Sequence, residues 1–136
     1  MKNKALYAGC VVVSLSVLSC SENDATIWQS KATSPDKNWV ATVSTTQSSG
    51  FGTADVETGV YLKWVNSPHP PTLILGFSNE TAYPLGITGV QMHWVTNSHL
   101  DVTYNKGAQL NFQAIKAGGV EISAHLQKSD NNKGVK

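Results

Sequence analysis

Between Asp55 and Val65 the chain alternates with a period of two. Val56, Thr58, Val60, Leu62 and Trp64 fall on one side, and Asp55, Glu57, Tyr61 and Lys63 on the other. A stretch patterned this way cannot gather its apolar residues on one stripe of a helix, whose period is 3.6; it buries them as one face of a strand. Trp39-Val40-Ala41-Thr42-Val43-Ser44-Thr45-Thr46 has the same period and is rich in β-branched residues, which suit a pleated surface. Thr72-Leu73-Ile74-Leu75-Gly76-Phe77 is apolar on both faces and reads as a central strand. No window carries a helical amphipathic pattern. The expectation is an all-β fold, a single small domain of about eight antiparallel strands. They would be arranged as a meander or sandwich, or as two sheets like propeller blades.

The last third predicts its own pairing. Val90, Met92 and Trp94 alternate inward, followed by Leu100, Val102 and Tyr104, then Leu110, Phe112 and Ala114, then Val120, Ile122, Ala124 and Leu126. Thr96-Asn97-Ser98, Asn105-Lys106-Gly107 and Ala117-Gly118-Gly119 separate these runs. Three-residue loops keep the inward faces of successive strands in register, and Gly107 and Gly119 suit the left-handed position such loops need. The spacing predicts a four-stranded antiparallel meander pairing Trp94 with Leu100, Leu100 with Phe112, and Phe112 with Ala124. Phe112 is then core. Trp64 and Trp94 fall on apolar faces, while Trp28 and Trp39 stand at strand starts.

The chain opens with Lys2 and Lys4 and an apolar run from Ala5 to Val17. That run is too short to span a bilayer, which takes about 20 residues, and it has the parts of a signal peptide. It ends in Val17-Leu18-Ser19-Cys20, which resembles a bacterial lipobox. The resemblance implies that residues 1–19 are removed, that Cys20 carries the lipid, and that the protein is held in the cell envelope. Ser21, where an Asp often marks inner-membrane retention, points to the periplasmic face of the outer membrane if the source has two membranes. Residues 20–26 form the lipidated start and a short tether, 27–127 the β domain, and 128–136 a polar tail expected to be disordered.

Without its first 19 positions the 136-residue chain keeps 117, the size of one domain, with eight lysines against nine acidic residues. Cys10 leaves with the signal and Cys20 is committed to lipid, so no intramolecular disulfide is possible. There is no arginine anywhere. A nucleic-acid partner, which calls for a basic patch and forked guanidinium contacts, is excluded.

Thr33-Ser34-Pro35-Asp36-Lys37-Asn38-Trp39-Val40-Ala41 resembles the Ser-Pro-Asp-Gly-x-x-aliphatic-Ala turn of TolB-type β-propeller blades, with Lys37 where the family has Gly. Trp94 to Val102 looks like a second copy, 61 residues later. Two copies are too few for a closed propeller of four or more blades. The chain from Trp39 through Tyr61-Leu62-Lys63 to Phe112 is also similar to small bacterial lipoproteins carrying this turn. That resemblance implies a β fold and brings no activity with it.

The expected register sets His93 opposite Asp101, Asp101 opposite Asn111, and Asn111 opposite His125, with His99 one row away. Such a polar row is a candidate acid–base or metal surface, because His and carboxylate are the usual proton carriers and ligands. At about 4.8 Å per strand, His93 and His125 would stand about 14 Å apart, too far to share an ion. The row therefore reads as a solvated face, and no metal or other cofactor is expected. Asp55 and Glu57 are likewise solvated charges. No Gly-x-Ser-x-Gly, phosphate loop, His-Glu-x-x-His or Cys-x-x-Cys occurs. Phe51 in its glycine-rich loop and Tyr83 beside Pro84 are candidate interface aromatics. The function this supports is a non-enzymatic envelope binding module with a protein or cell-wall partner, anchored to the membrane through the lipid on Cys20. An inhibitor or immunity-type protein is the alternative, and a small hydrolase or metal enzyme a more distant one.

Overall fold

A computed structural model describes residues 24–49, 54–78 and 89–128. The signal segment, Cys20, Phe51, Tyr83 and residues 129–136 lie outside them. The described residues form nine strands: β1 (Asp24–Thr33), β2 (Trp39–Ser49), β3 (Ala54–Trp64), β4 (Thr72–Ser78), β5 (Gln91–Thr96), β6 (His99–Tyr104), β7 (Gln109–Gln113), β8 (Lys116–Ala117) and β9 (Val120–Leu126). The described residues contain no helix, and the all-β expectation holds. One sheet has the order β1-β2-β3-β4-β7 and the other β5-β6-β9-β8.

The alternation of β2 and β3 is realised as read. Ala41, Val43, Val60 and Leu62 are buried, and they join Ile74, Leu75 and Phe77 of β4 to form one wall of the core. Val90, Trp94, Leu100, Val102, Val120 and Ile122 form the other wall. Thr45 and Thr58 are cross-strand partners inside this apolar layer, and their hydroxyls hydrogen-bond to each other at 2.8 Å. Each hydroxyl thereby avoids the cost of a buried polar group left unpaired. Trp94 Nε1 donates to the Ala32 carbonyl of β1 (3.1 Å), tying the edges of the two sheets together.

The Ser34–Asn38 turn between β1 and β2 is held by its own side chains. The Ser34 hydroxyl donates to Asp36 Oδ1 (2.6 Å) and accepts from the Trp39 amide (2.9 Å). The Asp36 carboxylate also accepts from the Asn38 backbone amide (3.2 Å) and side-chain amide (2.8 Å). The Ser34 hydroxyl, then the Asn38 backbone amide, hold the Asp36 carboxyl below its usual value. Lys37 takes φ of 61°, the left-handed position that glycine adopts most easily. Asn97, in the turn between β5 and β6, accepts the Asp36 amide at 3.1 Å, so the two turns 61 residues apart meet.

The meander is where the sequence reading and the fold part. The β5–β6 hairpin forms in the expected register, with Trp94 opposite Leu100 and His93 opposite Asp101. It closes through Asn97-Ser98, and the third loop residue is absorbed as a bulge at Val95, since Thr96 pairs with His99. Beyond Tyr104 the expected pairings fail. β7 leaves for the other sheet and pairs with β4, and β9 takes its place beside β6 in parallel, with Leu100 opposite Ile122 and Asp101 opposite Ser123. Neither the Leu100–Phe112 nor the Phe112–Ala124 pair exists. β4 has Ile74, Leu75 and Phe77 fully or almost fully buried, so its open edge needs a partner strand. β7 supplies it with Leu110 beside Phe77.

A bulge at Asn111 then reverses the alternation, and Phe112 turns outward opposite Gly76, 48% exposed and not in the core. The Ala117-Gly118-Gly119 loop is also shorter than expected. Ala117 pairs with Val120, and Gly118 and Gly119 both carry positive φ (58° and 89°), as the favoured two-residue hairpin turn requires. Gly107 takes no positive φ. Trp64, expected in the core, is exposed at the end of β3, where its ring meets Trp39 edge-on at 4.9 Å.

Candidate functional site

Of the four-residue polar row, the structure keeps three members and moves the fourth. His93 on β5 faces Asp101 across the hairpin as expected. Asn111 lies on β7 in the other sheet and faces neither Asp101 nor His125. His125 comes closer than expected. In the parallel β6–β9 register His125 pairs with Thr103, its Nε2 lies 3.4 Å from Asp101 Oδ2, and it is two strands from His93, about 12 Å, rather than three.

Ser123, which sequence reasoning missed, is the centre of the cluster. It lies between Asp101 and His99 on the same outer face. Its Oγ donates to Asp101 Oδ1 at 2.7 Å and lies 2.9 Å from His99 Nε2. A hydroxyl has one proton. With that proton on the carboxylate, His99 Nε2 must be the donor in the second contact. This direction is opposite to that of a catalytic serine, whose proton goes to the imidazole while the carboxylate orients the ring. Asp101 accepts from Ser123 on one oxygen and faces His125 with the other. The side chain of Asp101 is 23% exposed and that of His125 55%, so the contact between them is screened by water and contributes little. Among the described residues no three of His, Asp, Glu or Cys are grouped to hold a metal ion. The cluster is a set of side chains that satisfy one another on the outer face of β6 and β9, and it binds those two strands together.

A second location appears only in three dimensions. On the outer face of the five-stranded sheet, β1, β2 and β3 line an open cleft of about 580 Å³. Lys31, Thr42 and Tyr61 lie in one cross-strand row, Gln29 and Ser44 pair in a second, and Val40 and Lys63 in a third. Among the described residues no carboxylate lines it. The only ion pair among the described residues is His125–Asp101 on the other sheet, so neither lysine is neutralised by a described acidic side chain. Tyr61 and Lys63 were legible as the wet face of β3. What the sequence did not disclose is that Lys31 and Gln29 of β1 are brought beside them by β2.

Tyr61 is also the wall of a second, smaller hollow of about 200 Å³. Its floor is Gly59 and Gly76, which pair across β3 and β4, and Glu57, Ser78 and Asn111 are among its walls. Asn111 thus belongs to this face. The volume of the larger cleft falls in the range of ligand pockets, about 300–1,000 Å³. Its lining includes two cations, hydroxyls, an amide and an aromatic ring. A scan against protein-family models, a search of curated proteins and a search of solved structures each find no match for this chain.

Proposed function

We propose that this chain is a lipid-anchored envelope protein that works by binding, with the outer face of the five-stranded sheet as its working surface. The observation that carries the binding reading is the contrast between the two sheets. The residues of catalytic type, His99, Asp101, Ser123 and His125, are engaged with one another, whereas Lys31, Lys63 and Tyr61 line an open cleft. Val17-Leu18-Ser19-Cys20, after a short apolar run with two lysines at its start, supports the anchor. Attachment through several acyl chains is stable where a single chain is marginal. The partner is a protein or a cell-wall component, and the place is the envelope, on the periplasmic face of the outer membrane in a two-membrane cell.

The anchor is tested by replacing Cys20 with Ala and fractionating the cells. The variant should leave the membrane for the soluble envelope fraction with its fold intact. Retention on the membrane after a high-salt wash overturns the lipid reading. Crosslinking in intact cells followed by membrane pull-down separates the partners: a wall fragment or resident envelope protein supports this reading, and a captured toxic enzyme supports the inhibitor alternative.

A further inference from the structure

Gly59 and Tyr61 point to the chemistry of the ligand. A Cβ placed on Gly59 would stand 2.8 Å from Tyr61 Cε2, 2.8 Å from its Oη and 2.9 Å from its Cζ. Near-equal distances to these atoms, with no other ring carbon as near, put that point beside the hydroxyl corner of the ring and to one side of its plane. The ring therefore reaches back along its own strand, with its hydroxyl end over the bare backbone of Gly59. Half-buried there, it stands between the two hollows that it lines. A half-buried aromatic between two hollows is a platform for the C–H face of a pyranose ring, because the π cloud is negative over its face.

Around the platform the groups are those an acidic sugar needs. Lys31 shares the row of Tyr61 through Thr42, and Lys63 stands two residues along the same strand. Gln29, Thr42 and Ser44 add an amide and hydroxyls on the same side. Lysine is a point charge that suits a single carboxylate among hydroxyls, and the chain has no arginine fork for phosphate. Asp24, Ser48 and Asp55 form an acidic row at the start of β1. Lys31 lies seven positions further along β1, about 23 Å from that row, so an anionic ligand is favoured at the cleft and disfavoured at the other end of the sheet.

We propose that the cleft binds a carboxylate-bearing saccharide, stacked on Tyr61 and neutralised by Lys31 and Lys63, with the Gly59–Gly76 hollow, where Glu57 stands, receiving a neighbouring sugar that carries no carboxylate. This deepens the binding reading and rests on it, and its test does not touch the anchor. The full-length lipidated protein in detergent micelles is titrated by NMR with oligogalacturonate and with an oligomer of alternating glucuronate and N-acetylglucosamine. The carboxyl-reduced form of each, acetate and inorganic phosphate serve as comparisons. At least one uronate should shift the Tyr61 ring and the β1–β3 amides saturably, and the reduced forms should bind about tenfold more weakly or worse.

Lys31→Gln and Lys63→Gln should each weaken the uronate, and Tyr61→Ala should abolish it. Gly59→Ala should weaken it while the urea midpoint stays put, because the hydroxyl end of the ring can swing aside but then leaves its place between the two hollows. Absence of saturable shifts with both uronates up to millimolar concentration overturns the proposal. Equal shifts with acetate or phosphate overturn the saccharide in favour of a general anion site. Any of these results leaves the partition of Cys20→Ala between membrane and soluble fractions as it was, so the two readings fail separately.

Discussion

The two sheets turn opposite kinds of outer face to water. On the four-stranded sheet, His99, Ser123, Asp101 and His125 contact one another in sequence, and the donors and acceptors are largely spent within the group. On the five-stranded sheet, Lys31, Lys63 and Tyr61 border an open cleft that no carboxylate of the described residues lines. Judged by residue type, the first face is the obvious active site. Judged by what each group is already bonded to, it is the second that has capacity left for a ligand. A polar cluster that satisfies itself holds strands together, and two cations with no acidic partner among the described residues are available to something else.

The strongest effect should come from beneath the first face. Leu100 is fully buried on β6 under the cluster, and Leu100→Ala should cost about 2–5 kcal/mol in urea unfolding. Because β6 holds β5 on one side and β9 on the other, the His125–Asp101 contact should be loosened in the same variant, seen as a changed response of His125 to Asp101→Asn by NMR.

Next comes the comparison itself. Asp101→Ala removes the acceptor of Ser123 and should lower stability by about 1–3 kcal/mol, whereas Lys31→Ala should change it by less than about 0.5 kcal/mol. Similar denaturation midpoints for the two variants would break the distinction between a structural face and a binding face. Phe112→Ala, expected from alternation alone to be a severe core deletion, should cost less than about 1 kcal/mol because the ring is half exposed. A cost above about 3 kcal/mol would return Phe112 to the core.

The smallest effect is confined to acid. The Asp36 carboxyl is held below its usual value in the folded protein, first by the Ser34 hydroxyl. A carboxyl depressed by folding stabilises above its unfolded value, and that contribution is lost as pH falls through the folded one. The wild-type advantage over Asp36→Asn should be constant near neutrality and should shrink only below about pH 4. A pH series of thermal melts reads it directly, and an advantage that grows toward acid contradicts the Ser34–Asp36 assignment.

What could be read from the chain was which side each residue faces. Thr58, Val60 and Leu62, and likewise Leu100, Val102, Val120 and Ile122, face the core as their spacing requires. The β5–β6 register was readable because two short runs joined by a tight turn can meet in few ways. The polar row was half readable for the same reason: His93 and Asp101 belong to that hairpin, and Asn111 and His125 do not. Ser123 passed unnoticed because its role depends on β9 running parallel to β6, and no spacing between positions 101 and 123 announces that.

The amino-acid sequence by itself determined that the chain is all-β and, away from the Asn111 bulge and the end of β3, which faces of its strands are apolar. A period of two is a local property, dictated by the pleat and by the gain from removing one face from water. Only the tertiary structure decided which strand lies next to which. That choice sends β7 to the open edge of β4, seats β9 beside β6, turns Phe112 outward at the Asn111 bulge and sets Lys31 beside Tyr61. Alternation tells a strand which way to face and says nothing of its neighbour. The neighbour is chosen by how much apolar edge remains to be covered once every strand of both sheets is in place, a quantity that belongs to the whole molecule.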